Sequence, residues 1–185
     1  MKRIFFILFV CIFLTNLYGQ SQTITIIPLG NVDNSLLKAV GKSIDDFYGY
    51  DCVIDDKQDV TPDLLSRYGT KYDANKILNK FGTTGHVLII SEYQVIILER
   101  GVIETSVWGL ANCPGRVCLA SIYHLNSDST ELFYERVSKV CLHEVGHNIG
   151  YKHCTTTYKC IMNEVTRGLR ELDGQEIWMC DDCKK

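Results

Sequence analysis

The stretch "HEVGHNIGYKH", His143 to His153, decides the reading of this chain. It holds three of the five histidines in a sequence of 185 residues, with one acid and two glycines between them. Residues four apart on a helix lie one above another, so His143 and His147 share a face and can grip one ion. A straight helix would carry position 153 about 15 Å along its axis, out of reach. The chain must therefore turn back, and Gly150 can take the positive φ that a tight reversal needs. His153 then swings in as a third ligand, and a tetrahedral zinc keeps its fourth position open. Glu144 projects about 100° round the helix from His143. That direction flanks the ion rather than binding it, where a carboxylate can take a proton from the attacking water and pass it to the leaving amine. HExxH alone arises by chance, but the longer HExxHxxGxxH is a specific signal for metal-assisted amide hydrolysis. Three histidines on an ordinary helix would leave the acid, the glycine and the third imidazole as coincidences.

Immediately upstream, "DSTELFYERVSKVCLHEVGHNIG" predicts one helix over 129–149, with Asp128 as cap and Glu131 closing a capping box. Gly150 stops it, and Cys141 and Val145 face the core. Farther upstream the periodicity predicts a strand at 22–30, a helix through 32–47 and a strand at 50–56. A helix at 72–81, one strand over 86–97 and another over 116–124 follow, with His86 and His124 as ordinary strand residues. Past the motif, regular structure is limited to a helix near 171–178. The fold class expected is α/β (α+β): a mixed twisted sheet packed with helices, one of them the long active-site helix, plus a small irregular C-terminal subdomain. One domain is expected over 20–185, its upper subdomain about 20–150 and its lower about 151–185.

The first residues read as targeting rather than fold. "MKR" is basic, "IFFILFVCIFL" is an apolar run of 11 residues, and a polar segment with Gly19 follows. This is a secretory leader over 1–19, too short for a stable membrane anchor, and it implies export to the periplasm or beyond. With 19 basic and 22 acidic residues and a net charge of -3, the chain has no basic stretch suited to nucleic acid. A peptide is the partner expected, and a monomer is the default.

Eight of the nine cysteines follow the leader. Cys180 and Cys183 form a C-x-x-C knuckle, and Cys154 and Cys160 offer a second pair. Four thiolates in two pairs suit a closed structural zinc site, which would supply folding energy to a tail with little core. Disulfides within each pair are the alternative in an oxidising compartment. Cys113 and Cys118 flank "PGRV", where a disulfide across the turn is an open expectation; a Cys52–Cys141 link is a weaker one.

Taken together, HExxHxxGxxHC, then Cys160-x-Met162, then Cys180-x-x-Cys183, closely resembles the archaemetzincins, small metzincin-like zinc peptidases. The resemblance implies two zinc ions. His143, His147 and His153 would bind the catalytic one, with Glu144 as general base and Met162 in the methionine turn beneath it. Cys154, Cys160, Cys180 and Cys183 would bind the second. "SVWGLAN" and "GRVCLASIYHL" resemble the family's strands before the active helix, the latter as the edge strand of the cleft, where a peptide adds by backbone pairing. Aminopeptidase-like action on short peptides is a further implication. Two features depart from the family: five residues, "TTTYK", separate Cys154 from Cys160 where four are usual, and a leader is present. A zinc-stabilised binding or structural protein without turnover is the other functional expectation. The intact Glu144 speaks against it, because a purely structural site needs no base.

Overall fold

The computed structural model describes residues 23–82 and 85–185, so the expected leader lies outside it. The first described element is β1 (Thr23–Leu29). Helix α1 (Asn34–Tyr48) then crosses to β2 (Asp51–Ile54), which pairs parallel with β1. Asp33 caps α1 by accepting from the backbone N–H of Ser35 at 2.7 Å and of Leu36 at 3.2 Å. Leu36, Leu37, Val40 and Ile44 recur at helical spacing and are buried, each contributing ~1.5–3 kcal/mol.

Next come β3 (Tyr72–Asp73), α2 (Ala74–Phe81), β4 (His86–Ser91) and β5 (Val95–Glu99). They are followed by β6 (Ile103–Val107), β7 (Gly109–Ala111) and β8 (Val117–Ser121). The long helix is α3 (Thr130–Ile149), and α4 (Leu169–Gly174) is one short helix in the tail. The main sheet has the order β2-β1-β4-β8-β7, and β7 alone runs antiparallel. A second sheet has the order β3-β5-β6. Side chains alternate across the main sheet. Ile24, Ile26, Leu88 and Ile90 pack with α1 and α3 on one face. Ile27, Leu29, Val87 and Ile89 pack with α2 on the other. Strands covered on both faces read as continuous apolar runs, as these do. Cys154, Ile161, Met162, Leu172 and Met179 join the same core as α1 and α3, so the tail is built onto that core. Among the described residues no helix is long and apolar enough to cross a membrane.

Several expectations need correction. The run 86–97 is two strands, β4 in the main sheet and β5 in the second. The break at Glu92–Gln94 contains neither glycine nor proline, so apolar content on both sides hid it. The strand expected at 116–124 is β8, and it is not an edge: it pairs with both β4 and β7 and is buried at every residue. The edge is β7. The cap of α3 is Ser129 rather than Asp128; its Oγ accepts from Leu132 N–H at 3.2 Å and donates to Glu131 Oε2 at 2.8 Å. The tail helix lies at Leu169–Gly174 and stops before Gln175, which is extended. His86 does lie in β4, whereas His124 lies in a turn beyond β8. All eight cysteines among the described residues are free thiols. Cys118 is buried with its Sγ toward Val87 O, and Cys113 is exposed with its Sγ toward Tyr151 O, so the two point to different neighbours. No Cys52–Cys141 link forms either.

Candidate active site and metal centres

Gly150 makes the reversal. Its φ is 113°, and its N–H donates to Gly146 O at 3.1 Å and to His147 O at 2.9 Å. The returning chain brings the His153 ring centroid to 5.3 Å from His143 and 4.8 Å from His147, which are themselves 4.6 Å apart. One ring nitrogen from each histidine lies within 4.8 Å of the others.

The backbone fixes how two of these rings face. His143 Nδ1 lies 2.8 Å from Ile161 O, and His147 Nδ1 lies 2.7 Å from Tyr151 O. A carbonyl only accepts, so each Nδ1 carries the proton and each Nε2 is bare. The two bare Nε2 atoms are 3.0 Å apart. Lone pairs that close, with no proton between them, call for a cation. A tetrahedral zinc with bonds of about 2.0–2.1 Å would hold its nitrogen donors roughly 3.4 Å apart, so the histidines fit that ion. Burial pushes the His143 imidazole down to about 4, against the pull of the Ile161 carbonyl, and burial lowers His147 as well. Neutral imidazole is the ligating form. His153 is more exposed, with Nδ1 3.7 Å from Glu164 Oε2.

Glu144 is 7% exposed, and burial pushes its carboxyl up to about 8. A cation at the imidazoles would oppose that rise. The carboxylate lies against Gly109 of β7, where a Cβ would fall 2.6 Å from Glu144 Cγ. Glu144 and all three histidines line one cleft of about 750 Å³, bounded by β6 and β7 on one side and by residues after Met162 on the other.

Met162 is fully buried beneath α3. Its Sδ would stand 2.5 Å from a Cβ at Gly146, so the first glycine of the motif is the seat for the methionine. Tyr48 Oη also lies 4.0 Å from that sulfur and donates to Leu142 O at 2.9 Å. The sequence reading missed Gly109, Gly146 and Tyr48. Only Gly146 had a sequence signal, a helix-interior glycine four residues ahead of the helix stop.

The four tail cysteines converge as expected, with every Sγ within 4.8 Å of the others. The shortest approaches join the pairs: Cys154 to Cys180 at 3.6 Å and Cys160 to Cys183 at 3.9 Å. A tetrahedral zinc with bonds of about 2.3 Å to sulfur sets its donors about 3.8 Å apart, so these thiols fit that ion too. Burial works to raise the Cys154 thiol, but backbone N–H groups of Thr157 and Thr156 bring it down to about 7.

Residues 63–185 match the sequence profile of Peptidase family M54. The chain belongs to that family. The archaemetzincin of Halobacterium salinarum is 28% identical over 174 residues, which span 88% of this chain and 97% of its own. The fold agrees with two solved archaemetzincins. The one from Archaeoglobus fulgidus, complexed with malonate, has a TM-score of 0.78 at 23% identity, over 88% of this chain and 98% of its own. The one from Methanopyrus kandleri has a TM-score of 0.76 at 24% identity, over 90% and 93%. As an archaemetzincin, the chain is a zinc-dependent metallopeptidase with a metzincin-like fold.

Proposed function

We propose that this chain hydrolyses peptide bonds with Glu144 as general base, in a site where His143, His147 and His153 hold the catalytic zinc. The observation that carries the reading is the pair of bare Nε2 atoms 3.0 Å apart beside a buried carboxylate. Zinc bound there would supply a Lewis acid that lowers the pKa of the attacking water to about 7 and polarises the scissile carbonyl. The chain's own groups do the rest. The free edge of β7 offers backbone N–H and C=O groups to an extended peptide. Glu144 accepts the proton of the attacking water and delivers it to the leaving nitrogen. Ile161 and Tyr151 carbonyls keep His143 and His147 turned inward, and Met162 fills the floor below them. Cys154, Cys160, Cys180 and Cys183 hold a second, structural zinc. Glu164 lines the cleft beside His153 and offers a carboxylate to a free α-amino group, which supports aminopeptidase-like cutting of short peptides. The basic start and apolar run of the leader support export.

Replacing Glu144 with Gln keeps the side chain's shape and removes its basicity. The expected result is a fall in peptide cleavage of about 10²–10⁴-fold, with zinc content unchanged by metal analysis. A Glu144→Gln protein that cleaves at the wild-type rate would remove Glu144 from the mechanism.

A further inference from the structure

The cleft also takes in Tyr123, His124 and Lys139, which proton transfer at Glu144 does not require. The floor of this part of the cleft is α3 one turn before His143, where Lys139 is 1% exposed. One wall is the turn Ile122–Leu125, closed by Leu125 N–H donating to Ile122 O at 3.1 Å. The other wall is α4. A buried arginine fixes the two walls relative to each other. Arg136 Nη1 donates to Leu125 O at 3.2 Å and Asn126 O at 2.7 Å, while Nε and Nη2 grip the Asp173 carboxylate at 2.7 and 2.8 Å. Lys139 Nζ donates to Leu172 O at 3.2 Å and pairs with Glu135 at 2.7 Å.

His124 occupies the third position of that turn with φ of 67°. Glycine or asparagine is the usual residue there, and an ordinary side chain costs on the order of 1 kcal/mol. A glycine would close the turn without that cost, so the imidazole needs another reason to be present. Its ring is exposed and stands edge-on to exposed Tyr123, with centroids 4.1 Å apart. Both line the same cleft as His143 and Glu144.

The direction of β7 says which substrate residue reaches this pocket. Gly109 pairs with Ala120 and Ala111 with Cys118, so β7 starts at the His124 end and runs away from it. A peptide added antiparallel to β7 runs toward His124. The residue in the pocket is then the one that follows the cleaved bond.

We infer that this pocket selects a carboxylate on the residue after the cleaved bond, gripped by His124 N–H and Tyr123 O–H above the charge of Lys139. The inference rests on the peptidase reading. Imidazole and phenol both donate to a carboxylate, and an ammonium attracts it. Lys139 lies in the low-dielectric interior, whereas the side chain of its partner Glu135 is 49% exposed and water-screened. Lys139 is the one lysine or arginine among the residues lining the cleft. Glu99 and Glu164 also line the cleft, but on β5 and beside His153. An aspartate or glutamate side chain and the α-carboxylate of a C-terminal residue present the same chemistry.

The test uses the zinc-loaded full chain carrying Glu144→Gln, so that peptides bind without turnover. Fluorescent peptides vary only after the intended cleavage site: Glu against Gln with amidated ends, and leucine as free acid against leucine amide. The acid member of at least one pair is expected to bind about tenfold more tightly than its neutral partner, the worth of one charge-assisted hydrogen bond. Adding His124→Gly, which suits the turn's backbone, should bring that ratio close to one while the unfolding midpoint is maintained. Lys139→Met should lower it as well. Preference for Glu alone assigns a side-chain subsite; preference for the free acid alone assigns recognition of a chain end. Equal binding within both pairs, or a ratio that survives His124→Gly, overturns the inference. Acid preference in a protein whose wild type cleaves none of these peptides counts against the peptidase mechanism and leaves the pocket assignment standing.

Discussion

Glu144 and Gly109 form a matched pair, and the match gives a prediction at the scale of one methyl group. A Cβ on Gly109 would fall 2.5 Å from the Glu144 carboxyl carbon, so Gly109→Ala must displace the carboxylate. A displacement of about 1 Å in a reacting group can cost roughly 10²-fold in rate. The expected result is a kcat lowered by about 10–10²-fold with zinc content unchanged, read by steady-state kinetics beside metal analysis. The three histidines were legible because their spacing is itself helix geometry, and Gly150 was legible because a reversal needs a positive φ. Gly109 was not legible, because its reason lies across the contact between β7 and α3, which one sequence does not display.

Between elements, the strongest polar brace is the two-pronged pair of Arg136 on α3 with Asp173 on α4. The arginine holds the Asp173 carboxyl below the usual carboxylate range by hydrogen bonding. A lowered folded-state value means that the stabilisation is complete above the unfolded value of about 3.9. It is lost as pH falls through the lower, folded-state value. Asp173→Asn should therefore cost about 1.5–3 kcal/mol at neutral pH, and the gap from wild type should close in strong acid. Urea midpoints measured from pH 7 down to pH 2 would show it; a gap independent of pH would contradict this account. Helix α1 was read close to its observed bounds because apolar residues recur at helical spacing along its 15 residues, whereas α3, buried at every residue from 136 to 142, was bounded by its capping residues and by Gly150. The edge strand was misassigned for the complementary reason. "GLA" is three residues with a glycine, too short to show a period, while β8 is apolar enough to stand anywhere in a sheet.

Across the whole molecule, one backbone segment serves both clusters of potential metal ligands. Cys160 carries a tail thiol, Ile161 O orients His143 at 2.8 Å, and Met162 O accepts from Cys154 N–H at 2.7 Å. Cys183→Ser should lower the zinc content from two ions per chain to one, because it breaks the four-thiol cluster. It should also lower the unfolding midpoint and weaken retention of the remaining ion in a chelator titration. An unaltered chelator profile would show the two centres to be independent. That these four cysteines converge was readable from their spacing. Their closest partners were not, since Cys154 approaches Cys180 and Cys160 approaches Cys183 only after the tail has folded back.

The same segment sets where this fold tolerates a change in length. Four of the five residues from Thr155 to Lys159 are exposed, yet the backbone N–H groups of Thr156 and Thr157 turn inward to the Cys154 thiol. The extra residue relative to the usual family spacing falls in that stretch. A further insertion beside exposed Tyr158 would lengthen a surface bulge and leave those two amides in place. One residue added between Cys160 and Met162 would instead put thiol, carbonyl and thioether out of step together.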